Sequence, residues 1–228
     1  MKSIGLKSSD EGGLGMHLLF DIDGTVIDHE MRIYGLYRQY AMDHDYPVIS
    51  KTAYFAKKKE GISEKSIAAG TFPRAAVTPY TVWKKTVIET PEALLLDRLV
   101  SGIRDGLAKL VPFHTLASLS ARQSKEALEE ELVRLEIRAY FQSVLRVGIA
   151  NPAQAKAAAI IAYKNVHRCS LEDIIVIGDT EVDILASRVA GVRCIAVGWG
   201  LRSASFLVGQ GARTIVKFVR DLPKVIGQ

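Results

Sequence analysis

The sequence has little to staple it. Cys169 and Cys194 are its only cysteines in 228 residues, which excludes a disulfide scaffold and suits a reducing, cytoplasmic setting. No Cys/His cluster has the spacing of a structural zinc site. No uninterrupted apolar run approaches the ~20 residues that cross a bilayer, so no membrane partner is expected. The first fifteen residues are polar and Gly/Ser-rich, with an early Lys but no apolar stretch. They read as a flexible tail, not a secretory signal, and Met16 is a possible alternative start. A basic tract is also missing. Thirty Lys and Arg against 25 Asp and Glu give a net charge of +5, spread along the chain. That spread argues against nucleic acid as a partner. The one cluster, Lys57-Lys58-Lys59, is expected to be a solvated helix face, with attraction of an anionic substrate as the alternative.

What is present is a globular composition, 48% hydrophobic, which excludes wholesale disorder. The length suits one generous domain or a core with an insertion. His17 to Phe20 is an apolar run of strand length that stops at Asp21-Ile22-Asp23-Gly24-Thr25, a charged turn containing Gly. In open α/β sheets, ligands bind at this carboxyl edge. From residue 29 onward the period becomes helical: Ile33, Leu36, Tyr37 and Tyr40, then Trp83, Val87 and Ile88, then Leu94, Leu95, Leu99 and Ile103. Pro47, Pro73, Pro79 and Pro91 punctuate this stretch, with Pro91 placed to open a helix after Thr90. An α/β alternation resumes near Phe113. Strands are expected at 115–120, 144–147, 173–177, 194–197 and 215–216. Helices are expected at 125–135, 155–163 and 182–190, with Gly191 as a stop and a short helix at the end. The alternation predicts an α/β fold: a Rossmann-like parallel sheet core, residues 16–28 and 112–228, with an inserted α-helical cap at 29–111.

Two acidic positions two residues apart at the end of a buried strand are costly unless a cation compensates them, and oxygen-rich positions suit Mg²⁺. Gly178-Asp179-Thr180-Glu181-Val182-Asp183 repeats the arrangement behind another β-branched run. If the two strands are parallel neighbours, Asp21 and Asp179 meet at one sheet edge.

The Asp21-Ile-Asp-Gly-Thr25-Val segment resembles the first motif of the haloacid dehalogenase superfamily. Gly178-Asp179-x-x-x-Asp183 resembles its fourth, and the likeness runs over nearly the whole chain after residue 16. It is nearest to the branch of phosphoglycolate phosphatase and β-phosphoglucomutase. The resemblance implies a Mg²⁺-dependent phosphatase acting on a small phosphorylated metabolite, as a monomer or homodimer. Asp21 would be the nucleophile, forming an aspartyl-phosphate. Asp23 would be general acid and then base. The metal site would comprise Asp21, the backbone carbonyl of Asp23, Asp179 and Asp183, with Asp183 orienting water or its neighbours. Gly24 would let the loop turn tightly, and Thr25 would support Asp23. An Asp at position 23 points to phosphate esters, since carbon–halogen cleavage needs no acid there and transport ATPases carry Thr.

In the second motif the resemblance implies Ser120 at a strand end, with the Ala121 N–H at a helix start binding the phosphoryl group. Thr115 and Ser118 are alternatives to Ser120. Arg122 is a candidate for an anionic substrate, though solvation is expected. For the third motif, a Lys that stabilises charge on the transferring group, the sequence departs from the common Gly-Lys-Pro pattern. Lys156, opening an Ala-rich helix, takes that place, and Lys164 is expected on the surface. A cap between the first two motifs would exclude water and select the substrate. Its candidate contacts are Tyr34, Tyr37, Arg38, Tyr54, Lys57, Lys58 and Trp83, and aromatics at helical spacing equally suit a cap core. Tyr54 to Ile62 pairs a basic cluster with a Gly turn. The five histidines share no spacing and read as ordinary, and Cys194 reads as a buried, inert thiol. A phosphomutase of the same architecture, or a binding or regulatory protein that kept the fold without turnover, are the rival readings.

Overall fold

A computed structural model describes residues 15–227. The expected tail therefore lies outside the described residues except for Gly15. The chain enters through strand β1 (His17–Phe20) and turns at Asp21 to Val26. It leaves the core along β2 (Ile27–Asp28) and returns along β3 (Arg98–Leu99), which pairs antiparallel with β2. Between these two short strands lie five helices: α1 (Glu30–Asp43), α2 (Lys51–Lys59), α3 (Glu64–Ala69), α4 (Arg74–Val87) and α5 (Pro91–Leu94). Thr90 caps α5 through its side chain and Pro91 opens it, as its missing N–H costs nothing there.

After the ribbon come α6 (Ile103–Leu110), β4 (Thr115–Ala121), α7 (Lys125–Arg134), β5 (Ser143–Val147), α8 (Pro152–His167), β6 (Ile174–Gly178), α9 (Glu181–Ala190), β7 (Arg193–Val197), α10 (Ala204–Gly209), β8 (Ile215–Val216) and α11 (Leu222–Ile226). Six strands form one parallel sheet in the order β5-β4-β1-β6-β7-β8. β1 is central. Its neighbours β4 and β6 pair Phe20 with Ser118 and with Ile177, so Asp21, Ser120 and Asp179, at the carboxyl ends of their strands, gather on one edge.

Alternation along the strands builds two cores. Leu18 and Phe20 with Ile175 and Ile177 face α6, α7 and α11, while Leu19 with Ile174 and Val176 faces α8 and α9. A third core fills the cap, with Tyr37, Tyr54, Phe72 and Tyr80 buried together and the Tyr37 and Phe72 rings stacked at 5.3 Å. The sequence reading ended the cap at residue 111. Ile103, Leu107 and Leu110 of α6 instead pack into the sheet's core, so the inserted unit is bracketed by the β2–β3 ribbon. Of the prolines that punctuate this stretch, Pro79 does not break its helix. It lies inside α4, on an exposed face. The short α10, capped by Ser203, carried no clear period and was not anticipated.

Candidate active site

Asp21 is the first residue past β1, and its N–H still donates to Ile177 O at 2.8 Å, fixing it beside β6. Its Oδ1 accepts the Ile22 N–H at 2.8 Å and lies 3.0 Å from Lys156 Nζ. Asp179 follows β6 directly. It accepts the Thr25 hydroxyl at 3.1 Å and the Leu201 N–H at 2.7 Å. Asp183, in the first turn of α9, accepts Lys156 Nζ at 2.6 Å on one oxygen. On the other it accepts the Thr180 hydroxyl at 2.8 Å and the Thr180 N–H at 3.2 Å. Oxygens of Asp21, Asp179 and Asp183 all lie within 4.8 Å of one another, and all three residues are buried.

Backbone shape makes this approach possible. Gly24 has φ +86°, and a Cβ on it would stand 2.2 Å from Asp179 Oδ2. A Cβ on Gly200 would stand 2.3 Å from Asp179 Cβ, so the loop after β7 closes the site from the far side.

The electrostatics follow from burial. Three carboxylates face one ammonium, a charge of −2 if all ionise. Burial pushes the Asp21 carboxyl well above its ordinary range, against the pull of Lys156. Burial and the neighbouring Asp183 push Asp179 up to about 7. Burial disfavours the Lys156 ammonium, but Asp183 and Asp21 outweigh that and hold it charged. A divalent cation would match the surplus of two negative charges, and an all-oxygen donor set suits Mg²⁺. The residues present therefore fit the ion.

Asp23 is placed differently. Its carboxylate accepts Arg122 Nε and Nη2, each at 2.7 Å, and Arg32 Nη2 from cap helix α1. Burial alone would raise its pKa, but the two guanidiniums overcome this and hold it far below the carboxylate range. Each arginine is itself anchored, Arg122 by Glu131 at 2.5 Å and Arg32 by Asp97 at 3.0 Å and the Ile88 carbonyl at 3.0 Å.

Several expectations change accordingly. Arg122 is buried, not solvated. Thr25 is buried and supports Asp179, not Asp23. Ala121 ends β4, and the next helix starts only at Lys125 behind its cap Ser124, so its N–H is not at a helix start. Ser120 is buried at the carboxyl end of β4, and its hydroxyl has no hydrogen-bond partner. Ser118 is likewise buried and unpartnered, while Thr115 lies at the opposite end of the strand beside His17. Lys164 is half-buried. His29 is not ordinary: it is buried beside Asp23 and Arg32, its Nδ1 has no partner, and burial lowers it to about 4. Cys194 is half-buried, and burial raises its thiol to about 12.

Of the cap candidates, Tyr37 and Tyr54 belong to the cap core, Tyr34 donates to Ile49 O, and Trp83 packs against that core. Arg38 and Lys57 are exposed. Lys58 is buried and pairs with Glu64 at 3.5 Å, where Lys84 at 2.8 Å and the hydroxyls of Tyr54 and Tyr80 also converge. Sequence reasoning missed Arg32, Lys84, Glu64 and Asp97, since each looks like a surface charge until the cap is folded onto the core.

The fold and this edge match known proteins. The model of the haloacid dehalogenase-like hydrolases matches residues 18–197. The chain belongs to that family. It is 23% identical over 214 residues to a phosphoglycolate phosphatase of Synechococcus elongatus, covering 92% of this chain and 97% of that one. It is 23% identical over 208 residues to a phosphoglycolate phosphatase of Chromobacterium violaceum, covering 89% and 92%. A haloacid dehalogenase-like hydrolase of Streptococcus pneumoniae superposes with a TM-score of 0.77 at 20% identity, over 93% of this chain and 98% of that one. A subfamily IA hydrolase of Geobacter sulfurreducens superposes at 0.71 and 16% identity, over 96% and 100%. Among the described residues of this haloacid dehalogenase-like chain, no helix is long and apolar enough to cross a membrane.

Proposed function

We propose that the chain is a Mg²⁺-dependent phosphatase that hydrolyses a small phosphate monoester through an aspartyl-phosphate on Asp21. Membership of a hydrolase family and the phosphatase names of its curated relatives support the class of activity. The observation that carries the mechanism is the buried set of Asp21, Asp179 and Asp183 around Lys156. Asp21, Asp179 and the backbone carbonyl of Asp23 would hold the ion, which would offset the repulsion between the Asp21 carboxylate and a phosphate dianion.

Asp21 Oδ1 is oriented by the Ile22 N–H and Lys156, and Oδ2 takes no hydrogen bond among the described residues. Oδ2 is then the oxygen that attacks phosphorus. As the Oδ2–P bond forms, the P–O bond to the leaving group breaks, and that oxygen takes a proton from Asp23, which must first leave Arg32 and Arg122 and take up that proton from solvent. Water next attacks phosphorus and gives its proton to Asp23. Inorganic phosphate leaves, and Asp21 and protonated Asp23 are restored. Lys156 meets the charge on the phosphoryl oxygens, and the unpartnered Ser120 hydroxyl supplies a donor to one of them. Asp183 holds Lys156 in place and is fully occupied by Lys156 and Thr180.

The test is phosphate release from a panel of small phosphate esters, with and without Mg²⁺, beside Asp21→Asn. Release that needs the metal and is lost in the variant is expected. Release that persists in Asp21→Asn, or none from any ester by folded protein with Mg²⁺, would refute the proposal.

A further inference from the structure

We propose that Glu89, in the cap, is a positioning residue for the phosphoryl end of the site: its carboxylate fixes the core segment Gln123-Ser124 and, through it, the end of β4 that carries Ser120. That end of the site is then complete only while the cap is docked. This inference rests on the phosphatase reading above and adds a cap residue to its machinery.

The carboxyl end of β4 overhangs its central neighbour. Pairing with β1 ends where Phe20 meets Ser118, while β4 runs on to Ala121. From there its register continues with the edge strand β5, Ser120 opposite Arg146 and Ala121 opposite Val147. The overhang carries Ser120 and leads into Arg122. No hydrogen bond holds the buried Ser120 hydroxyl, so the path of the backbone decides where this donor stands. Whatever fixes the segment just past the strand therefore fixes the donor.

The cap supplies that support. Glu89 lies in the turn between α4 and α5. Its Oε1 accepts the Gln123 N–H at 2.8 Å, and its Oε2 accepts the same N–H at 3.1 Å and the Ser124 N–H at 2.9 Å. Gln123 Nε2 donates to Lys85 O of α4 at 2.7 Å, while from the core Arg146 Nε reaches Gln123 O at 3.1 Å. Both main-chain N–H groups of this core segment thus find their acceptor in the cap. A carboxylate across two successive N–H groups makes charge-assisted bonds, stronger than neutral ones. It also stands at the start of α7, which Ser124 caps through the Ala127 N–H, and negative charge is favoured there. The residue before it, Ile88, holds Arg32 Nη1 through its carbonyl at 3.0 Å. One turn of the cap therefore ties itself to the segment after β4 and steadies the arginine that reaches Asp23. Without the Glu89 carboxylate, the two N–H groups turn to water and the segment is released.

A double-mutant cycle on the full chain with Mg²⁺ tests this. The probe is p-nitrophenyl phosphate, whose leaving group departs without a proton, so the rate reads the phosphoryl end of the site. Ser120→Ala alone should lower kcat/KM by ~100-fold, the scale of losing one donor to a developing charge. Glu89→Ala alone should lower it by ~10-fold or more, and adding Ser120→Ala to it should cost less than a further ~10-fold, because the hydroxyl is already displaced. Glu89→Gln keeps an acceptor oxygen at the same reach and should recover most of the loss. Without turnover, hydrogen exchange reads the same link: the Gln123 and Ser124 amides should exchange ~10-fold faster in Glu89→Ala, and those of β1 should not change. Losses that simply multiply would overturn the inference and show a glutamate that only docks the cap. Unchanged exchange at Gln123 and Ser124 would overturn it as well, even if activity falls. Hydrolysis by the wild type in those cases leaves the phosphatase reading standing. No hydrolysis by folded wild type fails that reading and the inference together.

Discussion

Among the described residues Lys156 is the one cation touching Asp21 and Asp183, and removing it isolates three buried carboxylates. Lys156→Met keeps most of the side-chain volume and deletes the charge. Breaking a buried pair typically costs ~3–5 kcal/mol, less where the stranded carboxyls take up protons. We expect urea unfolding in EDTA to lose about 2 kcal/mol, part of it regained with Mg²⁺, and turnover to fall ~100-fold or more. An unchanged midpoint would mean that the carboxylates do not depend on the ammonium. Gly24→Ala probes the same site through shape. A methyl there meets Asp179 Oδ2 at 2.2 Å with φ at +86°, so Asp179 must shift. Mg²⁺ affinity read by calorimetry should weaken while the far-ultraviolet spectrum stays native. These residues were legible because each stands where an apolar run stops or where an Ala-rich helix opens. Arg32 was not. Its partner Asp23 lies nine residues earlier in another unit, and no period in the sequence reveals that α1 turns this side chain back to the core.

The cap's helices were legible as a group, and their boundaries less so. α6 has the same helical period as its predecessors, and only the pairing of Ile27 with Leu99 shows that the chain has already returned to the core. Pro79 is one of the prolines that punctuate this stretch, and proline lacks the N–H that a helix interior uses. α4 continues through it, held by Ala76, Val77 and Tyr80 on its buried face. Pro79→Ala should therefore stabilise the cap, by about 1 kcal/mol or more out of the ~3 kcal/mol that an interior proline costs. A lower melting temperature would show that the helix is shaped around the proline. Glu64 is the cap's other constraint. Burial alone would raise its carboxyl, but Lys84 and Lys58 win and lower it to about 2. A depressed pKa contributes stability that is present above the unfolded value and is lost as pH falls toward the folded one. The cap should loosen between about pH 4.5 and pH 2, read by Trp83 fluorescence in a Trp199→Phe background. In Glu64→Gln that acid-dependent component should vanish, and its persistence would assign the transition elsewhere.

At the scale of the molecule, the cap and the core meet at several places besides the ribbon, Glu89 accepting the Gln123 and Ser124 N–H groups among them. One is the Arg32–Asp23 contact. Another joins the end of α2 to the loop after β7: Arg202 donates to Lys58 O at 2.7 Å while gripping Glu181 with two bonds of 2.7 and 2.8 Å, and the Ser203 N–H donates to Lys59 O at 3.0 Å. Glu181 opens α9, two residues before Asp183, and Leu201 in the same loop donates to Asp179. The cap is thus registered against the segments that carry the acidic site, which explains why a basic cluster followed by a Gly turn stood out in the sequence at Lys57 to Gly61. Gly61 passes so close to Phe206 that a Cβ would stand 2.4 Å from its ring. Arg202→Ala removes the bonds to the cap and to Glu181 at once. If its role is docking, amides from residue 57 to 62 should exchange ~10-fold faster, those of β1 and β6 should not change, and kcat and KM should shift together, as for a loosened lid. If exchange instead quickens in β6 and α9 as well, Arg202 serves the core through Glu181, and the cap's position is held by the ribbon, by Arg32 and by Glu89 on the Gln123 and Ser124 N–H groups.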